Sequence, residues 1–516
     1  MPKPSKAAWV MLAIILVLPL FSMMVVPYYD TSEPRYAEIA RIMLETGDWI
    51  TLWFSPGVPF WGKPPLSFWA QALSMKVFGL TEFAGRFPSW LCLVVTNALF
   101  LAGLRATGGL RLALWACIIY STSALVYISS GAVLTDPFLA LGTTLSLVSF
   151  ARVVQTAPAL STQAVSGTKP HQAAARRLRI ERRLWAYGFF VGLAIGLLSK
   201  GPLAAVVIFA PLVVWYMFNR KRRTFGVALP WLTGLMLTAL LTLPWYILAE
   251  MKTPGFLDYF IVGEHVRRFL DPGWAGDLYG SAHRRAYGTI WLYWLQASFP
   301  WALLALAIVV GALRSTALRA ALQAVHKMPL FGYWVTGAVF TPIFFTFSAN
   351  ILWTYILPSL AAFSVLLAVL LLEVTARYPL PRARLMSTAA LVPTLILAAS
   401  TAAWISPDLR NTERELVRYV ARQSEPAVPL FYLSELPFSA RFYSSGQAQN
   451  LAEADLPRLL HGRNAFYLAV PNDKLGTVSE VANQRLQTLF SNKRYSLVKI
   501  PGTGSEMVAE REAGRG

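Results

Sequence analysis

The sequence predicts a polytopic α-helical membrane protein that ends in a small α/β unit. Three observations lead there. The composition is 56% apolar and only 14% charged, whereas a soluble domain carries roughly 25% charged residues. Apolar segments long enough to cross a bilayer follow one another through the first four-fifths of the chain. The basic residues fall unequally among the loops between them, and the mean hydropathy of +0.49 agrees.

The apolar segments run over 8–27, 87–104, 112–130, 137–153, 185–199, 203–218, 226–248, 290–311, 330–347, 352–373 and 387–405. A crossing helix needs about 20 such residues, with roughly 17 as the lower end. Two more crossings can hide in interrupted stretches, so eleven to thirteen helices are expected. Residues 8–27 have no small-residue cleavage site and read as a retained helix rather than a leader. Cys92 and Cys117 both lie inside apolar runs, so no disulfide framework is indicated.

With the N-terminus placed in the cytoplasm, 21 basic residues and two acids, Glu181 and Glu373, share one compartment. They cluster at Lys3 and Lys6, Arg105 and Arg111, 152–183, 220–223, 314–327 and 377–384. This is the positive-inside pattern. It also accounts for most of the net charge of +20, which is therefore no sign of nucleic-acid binding. Residues 154–175 are low in complexity and read as a flexible linker. The opposite side receives near-equal numbers of acids and bases, in the loops 28–86 and 249–289 and at the turns holding Asp136 and Lys200.

After residue 406 the pattern becomes that of a soluble unit. Strands are expected at 428–433, 464–470 and 494–500, with helices over 437–446 and about 477–489 and a flexible tail from about 502. It contains no Gly-rich phosphate loop, and His461 reads as a surface or capping residue.

Ionisable groups in or beside a membrane are costly unless paired or wet, so each is a site candidate. The insert 28–69 is the densest in them and in aromatic rings. Glu33 stands at the start of a helix that Pro34 opens and Gly47 closes, and is either a cap or a functional acid. Arg35 and Tyr36 follow it on the same helix. Lys63 precedes Pro64-Pro65, between Trp61 and Trp69, and either snorkels or holds a phosphate. Lys200 ends one apolar run directly before another, with the same two readings. Asp136 lies between apolar runs and needs Arg35, Lys63 or a bound cation as partner. Glu264 and His265 beside Asp136 offer ligands for a divalent metal ion, the alternative being a hydrogen-bonded interfacial histidine.

The strings SEPRYAEIARIMLETGDW, FWGKPPLSFW, LTDPF, LLSKGP, VGEHVRRFL and ILWTYILPSLA occur in this order over residues 10–405. In them the chain resembles the ArnT/PMT family of GT-C glycosyltransferases. The resemblance implies a GT-C transmembrane catalytic domain over 1–406, including periplasmic loops 28–86 and 249–289, and a periplasmic α/β domain with its tail over 407–516. It implies a bacterial inner-membrane enzyme, expected to be a monomer among bilayer phospholipids, with no nucleic-acid partner. The donor would be a sugar on a polyprenyl (undecaprenyl) phosphate. In the ArnT branch the sugar is 4-amino-4-deoxy-L-arabinose and the acceptor a lipid A phosphate, a modification that gives polymyxin resistance.

Three stretches depart from the family, one of them 348–355, which lacks the Lys that the family often has before its Tyr-Ile-Leu-Pro run. The family's Asp-Glu is here Ser32-Glu33, so the usual aspartate is absent and Asp30 is the nearest acid before it. Its Glu-Lys-Pro-Pro is here Gly62-Lys63-Pro64-Pro65. The expected roles are then Glu33, Asp30 and Asp136 as catalytic carboxylates, and Arg35, Tyr36, Lys63, Lys200 and Tyr355 as donor-phosphate ligands. A metal, where used, would take Asp136, Glu264 and His265. Two other readings remain: a GT-C transferase acting on a protein or another envelope glycan, and a lipid flippase, which would carry paired acids deep in central helices.

Overall fold

The computed structural model describes residues 6–165, 169–219, 229–280, 283–348, 350–378, 381–407, 410–423, 428–460, 462, 464–482 and 486–501. Its helices enter in order as α1 (Lys6–Val25), α2 (Ser32–Thr46), α3 (Leu66–Phe78), α4 (Glu82–Thr122), α5 (Ala124–Ser130), α6 (Asp136–Val165), α7 (Lys169–Lys200) and α8 (Pro202–Phe218). Later helices include Trp231–Lys252, Phe331–Phe345, Leu357–Arg377 and Arg382–Ile405.

Among the described residues six helices are long and apolar enough to cross a membrane, and taking each of two sharply bent pairs as one span raises the number to eight. That is fewer than the eleven to thirteen expected, and local geometry explains the difference. α4 is a hairpin rather than a rod. Asn97 Nδ2 donates to Ser121 Oγ at 2.9 Å although 24 residues separate them, a distance that a straight helix would stretch to about 36 Å. The fold-back is at Gly109, whose φ of 81° suits glycine, so the predicted runs 87–104 and 112–130 lie side by side. α8 has only 17 residues, and in α7 the apolar half is fused to the basic stretch before it.

α6 and α7 form a second helical hairpin. Ser146 Oγ donates to Phe189 O at 2.8 Å. A Cβ at Gly142 would stand 2.5 Å from Gly192 O, so the two backbones touch where glycine faces glycine. The expected flexible linker over 154–175 is instead helix up to Val165 and again from Lys169, and 166–168 lie outside the described residues.

The C-terminal unit carries a five-stranded sheet in the order β4-β3-β5-β7-β6, numbering β3 (Leu430–Leu433), β4 (Gln449–Leu451), β5 (Phe466–Pro471), β6 (Thr488–Ser491) and β7 (Tyr495–Ile500). β1 (Trp53–Ser55) and β2 (Val58–Pro59) form a small ribbon in the first loop. The strands expected near 430, 466 and 495 are β3, β5 and β7. Two edge strands, β4 and β6, escaped the periodicity, and the helix expected over 477–489 ends at Val481 because the chain then enters β6. His461 lies outside the described residues.

This unit packs on the first loop through buried polar contacts. Arg494 Nη2 pairs with Asp30 Oδ2 and Glu413 Oε1, both at 2.6 Å. Asp30 also accepts from Ser439 N at 2.8 Å. Glu82 accepts from Tyr443 Oη at 2.9 Å and pairs with Arg414 at 3.2 Å.

Candidate functional site

Closing the α6–α7 hairpin places the first residue of α6 against the last residue of α7. Lys200 Nζ lies 3.0 Å from Asp136 Oδ1, and both side chains are largely buried. An acid at a helix start and a base at a helix end also suit the two helix dipoles. The ring of Tyr355 stands 5.5 Å from the same ammonium.

A second charged cluster meets this pair from the two long loops. Pro64-Pro65 lead directly into α3 and hold Lys63 at its entrance. Its Nζ lies 3.4 Å from Glu264 Oε2, on a π-helical stretch over Asp258–Arg267. Arg268, four residues on, reaches back to Glu264 Oε1 at 2.9 Å and across to Asp277 Oδ2 at 3.3 Å. Burial alone would raise the Glu264 carboxyl, but Lys63 and Arg268 outweigh it and hold the group below the usual carboxylate range. Tyr279 ties the loops together. Its hydroxyl donates to Pro59 O at 2.8 Å and accepts from Trp61 N at 2.9 Å, while its carbonyl accepts from Arg35 Nη1 at 2.6 Å.

These groups surround a cavity of about 600 Å³ whose lining includes Arg35, Lys63, Asp136, Lys200, Arg268 and Tyr355. Beside it runs a second compartment of about 260 Å³ walled by Phe260, Phe269, Phe344 and Phe345. The two share Lys63, Lys200, Glu264, Arg268 and Tyr355. A polar chamber thus joins a greasy groove at a ring of three cations, the shape that a phosphate with an apolar chain requires.

Comparison with known proteins bears on this arrangement. Residues 7–260 match the family model described as dolichyl-phosphate-mannose-protein mannosyltransferase. The chain is 30% identical over 356 residues to the undecaprenyl phosphate-alpha-4-amino-4-deoxy-L-arabinose arabinosyl transferase of Aeromonas salmonicida, over 66% of this chain and 56% of that protein. The protein of the same description from Edwardsiella ictaluri is 30% identical over 373 residues, 70% of this chain and 59% of the relative. The chain thus spans little more than half the length of the curated relatives it matches. Its fold superposes on ArnT from Cupriavidus metallidurans bound to undecaprenyl phosphate with a TM-score of 0.73 at 16% identity, covering 97% of this chain and 99% of that one. In sequence the chain is similar to the ArnT/PMT family, and it has the GT-C fold.

Within this GT-C framework, five of the expected donor ligands, Arg35, Tyr36, Lys63, Lys200 and Tyr355, line the cavity together with Asp136. Two expected catalytic acids face elsewhere. Glu33 is bound by Arg86, with Nη2 at 2.8 Å and Nε at 2.9 Å, and accepts from Val133 N at 3.0 Å. Arg86 is only 2% exposed, so Glu33 neutralises a buried cation. Asp30 is taken by Arg494 and Ser439 of the C-terminal unit. Neither lines the cavity.

The expected metal set does not assemble either. His265 turns Nδ1 to Phe260 O at 2.7 Å and Nε2 to Lys200 O at 2.9 Å, so a backbone carbonyl stands in front of each ring nitrogen. Glu264 and Asp136 are held by different cations. Among the described residues no three His, Cys, Asp or Glu side chains are gathered for an ion. The interfacial, hydrogen-bonded reading of His265 fits.

Of the cavity wall, Arg268 and Asp277 stand in the sequence only as charges of the loop 256–285 with no role assigned, and Phe438 is not a sequence candidate. Arg268 carried a usable signal, since it stands four residues after Glu264 on one helix face. Phe438 had none: it reaches the cavity from the C-terminal unit, beside Arg35.

Proposed function

We propose that this GT-C glycosyltransferase moves a sugar from an undecaprenyl-type polyprenyl phosphate to a lipid A phosphate or a similar envelope acceptor, 4-amino-4-deoxy-L-arabinose being the sugar of its relatives. The reading places the chain in the bacterial inner membrane, N-terminus in the cytoplasm and cavity on the periplasmic side. One observation carries it: Lys63, Lys200 and Arg268 converge where the polar chamber meets the apolar groove.

In the proposed reaction the donor phosphate lies among these three cations, with its prenyl chain along Phe260, Phe269 and Phe344. The bond between sugar C1 and the phosphate oxygen breaks, its electron pair leaving with the polyprenyl phosphate, and an acceptor oxygen forms the new bond to C1. Cations fixed at the leaving oxygen act where negative charge grows, and a partly closed cavity strengthens them. Arriving phosphate competes with Glu264 for Lys63 and Arg268, and with Asp136 for Lys200. Either carboxylate, once released, can face the positive charge that develops at C1.

A phosphate acceptor is already anionic and needs no strong base. That supports a site whose family aspartate position is occupied by Ser32, a lining residue of the chamber. A hydroxyl acceptor on a protein, the second reading, is favoured by the family model matched over residues 7–260. It would need a base, and Asp136 and Asp277 are the lining aspartates available.

The test is mass spectrometry of lipid A and of envelope glycans and glycoproteins from cells with and without the gene, repeated with Lys63→Ala. Sugar-modified lipid A that disappears in both the deletion and Lys63→Ala supports the first acceptor. A modified protein that disappears instead supports the second. No difference in any envelope component would refute both.

A further inference from the structure

A second cavity, of about 470 Å³, lies at the other end of α4 and α6. It opens beside the α4 fold-back, and its wall includes Arg111, Arg152, Trp334, Val365, Val369 and Leu372. Sixteen residues of α6 separate Arg152 from Asp136, about 24 Å of helix. The hydrocarbon core of a bilayer is about 30 Å thick, so the two cavities stand near opposite membrane faces. By the distribution of basic loops, this one faces the cytoplasm.

Its charges are only partly satisfied. Arg152 is 5% exposed and pairs with Glu181 through Nη2. Its Nε is buried and has no hydrogen-bond partner among the described residues. A buried donor without an acceptor is costly, more so on a cation. Arg111, on the same wall and half-buried, has no ion pair to a described carboxylate. The acid on the wall, Glu373, is engaged by Arg377.

We propose that this cavity is a second lipid site, which holds the phosphate of an anionic phospholipid of the cytoplasmic leaflet between Arg111 and Arg152. The guanidinium fork matches phosphate oxygens, and that leaflet presents anionic headgroups at this depth. The aliphatic wall of Val365, Val369 and Leu372 suits the first methylenes of an acyl chain, which free phosphate or a nucleotide would leave unused. The proposal does not rest on the transfer reaction, because the site shares no residue with the catalytic chamber.

The test uses the full-length protein in detergent, titrated with phosphatidylglycerol and read by native mass spectrometry, with phosphatidylcholine as the zwitterionic comparison. Arg111→Gln keeps the fold because the side chain is partly exposed and unpaired. Arg152→Gln is combined with Glu181→Gln so that no carboxylate is stranded. Each is expected to weaken the tightest phosphatidylglycerol binding about tenfold, the factor that 1.4 kcal/mol makes. Arg384→Gln, exposed on the same side, is expected to leave it unchanged. Equal binding in all variants, or phosphatidylcholine bound as tightly as phosphatidylglycerol, would overturn the proposal. Displacement by equimolar undecaprenyl phosphate or by inorganic phosphate would overturn the phospholipid as occupant.

Discussion

Replacing Lys200 by methionine separates two roles that the structure combines in one ammonium group. The Lys200–Asp136 pair spans 3.0 Å and is nearly closed to solvent. At that distance, with an effective dielectric of about 20, the attraction is roughly 5 kcal/mol. Deleting one partner of such a pair costs about 3–5 kcal/mol, chiefly because the other charge stays buried without compensation. Lys200→Met is therefore expected to lower unfolding stability by about 3–5 kcal/mol and to abolish transfer. Adding Asp136→Asn removes the stranded carboxylate and should bring stability back to within about 1–2 kcal/mol of the parent. Transfer should stay absent, since the donor phosphate has still lost a cation. Chemical denaturation in detergent, followed by tryptophan fluorescence, reads the first quantity, and a transfer assay with a lipid-linked sugar donor reads the second. Two results would refute the reasoning. A single variant as stable as the parent would mean that water reaches the pair. A double variant that regains transfer would mean that Lys200 serves only to neutralise Asp136.

Three further outcomes follow from the same geometry. Glu33→Gln leaves Arg86 buried with a weaker partner, so it should lower stability by about 3 kcal/mol while the donor KM of the protein that remains folded stays put; Arg268→Gln strands the largely buried Asp277, so it should lower stability by a similar amount and, unlike Glu33→Gln, raise the donor KM of the folded protein about tenfold or more. Gly192→Ala puts a methyl group 2.4 Å from Ser146 Oγ and 2.5 Å from Gly142 O, which should spread the α6–α7 hairpin, cost about 1–3 kcal/mol and weaken transfer by moving Lys200 from Asp136. In the C-terminal unit, burial pushes Glu413 from 4.5 up to about 7, against the pull of Arg494 and Asn492. Folded chain then holds a proton that unfolded chain has lost, so this contribution to stability is complete below about pH 4.5 and disappears as pH rises through about 7. Limited proteolysis of the unit should be slower at about pH 5.5 than at about pH 8, and Glu413→Gln should flatten that difference.

How much of the molecule could be read from the chain depended on how local each signal was. Membrane class, the order of apolar segments and the asymmetry of basic loops rest on composition and period, which act over about 20 residues at a time. Lys63, Lys200 and Asp136 stand out as ionisable groups beside apolar runs, and the family resemblance, which rests on short ordered strings, adds Tyr355. What each charge does was decided only by folding. Glu33 and Asp30 looked as reactive as Asp136, yet one meets Arg86, 53 residues along the chain, and the other meets Arg494, 464 residues along it. Asp136 meets Lys200 because two glycines let α6 and α7 touch backbone to backbone. Residue types are local properties. Electrostatic partnership depends on distances of a few ångströms, and those are set by packing among parts of the chain that carry no sequence record of one another.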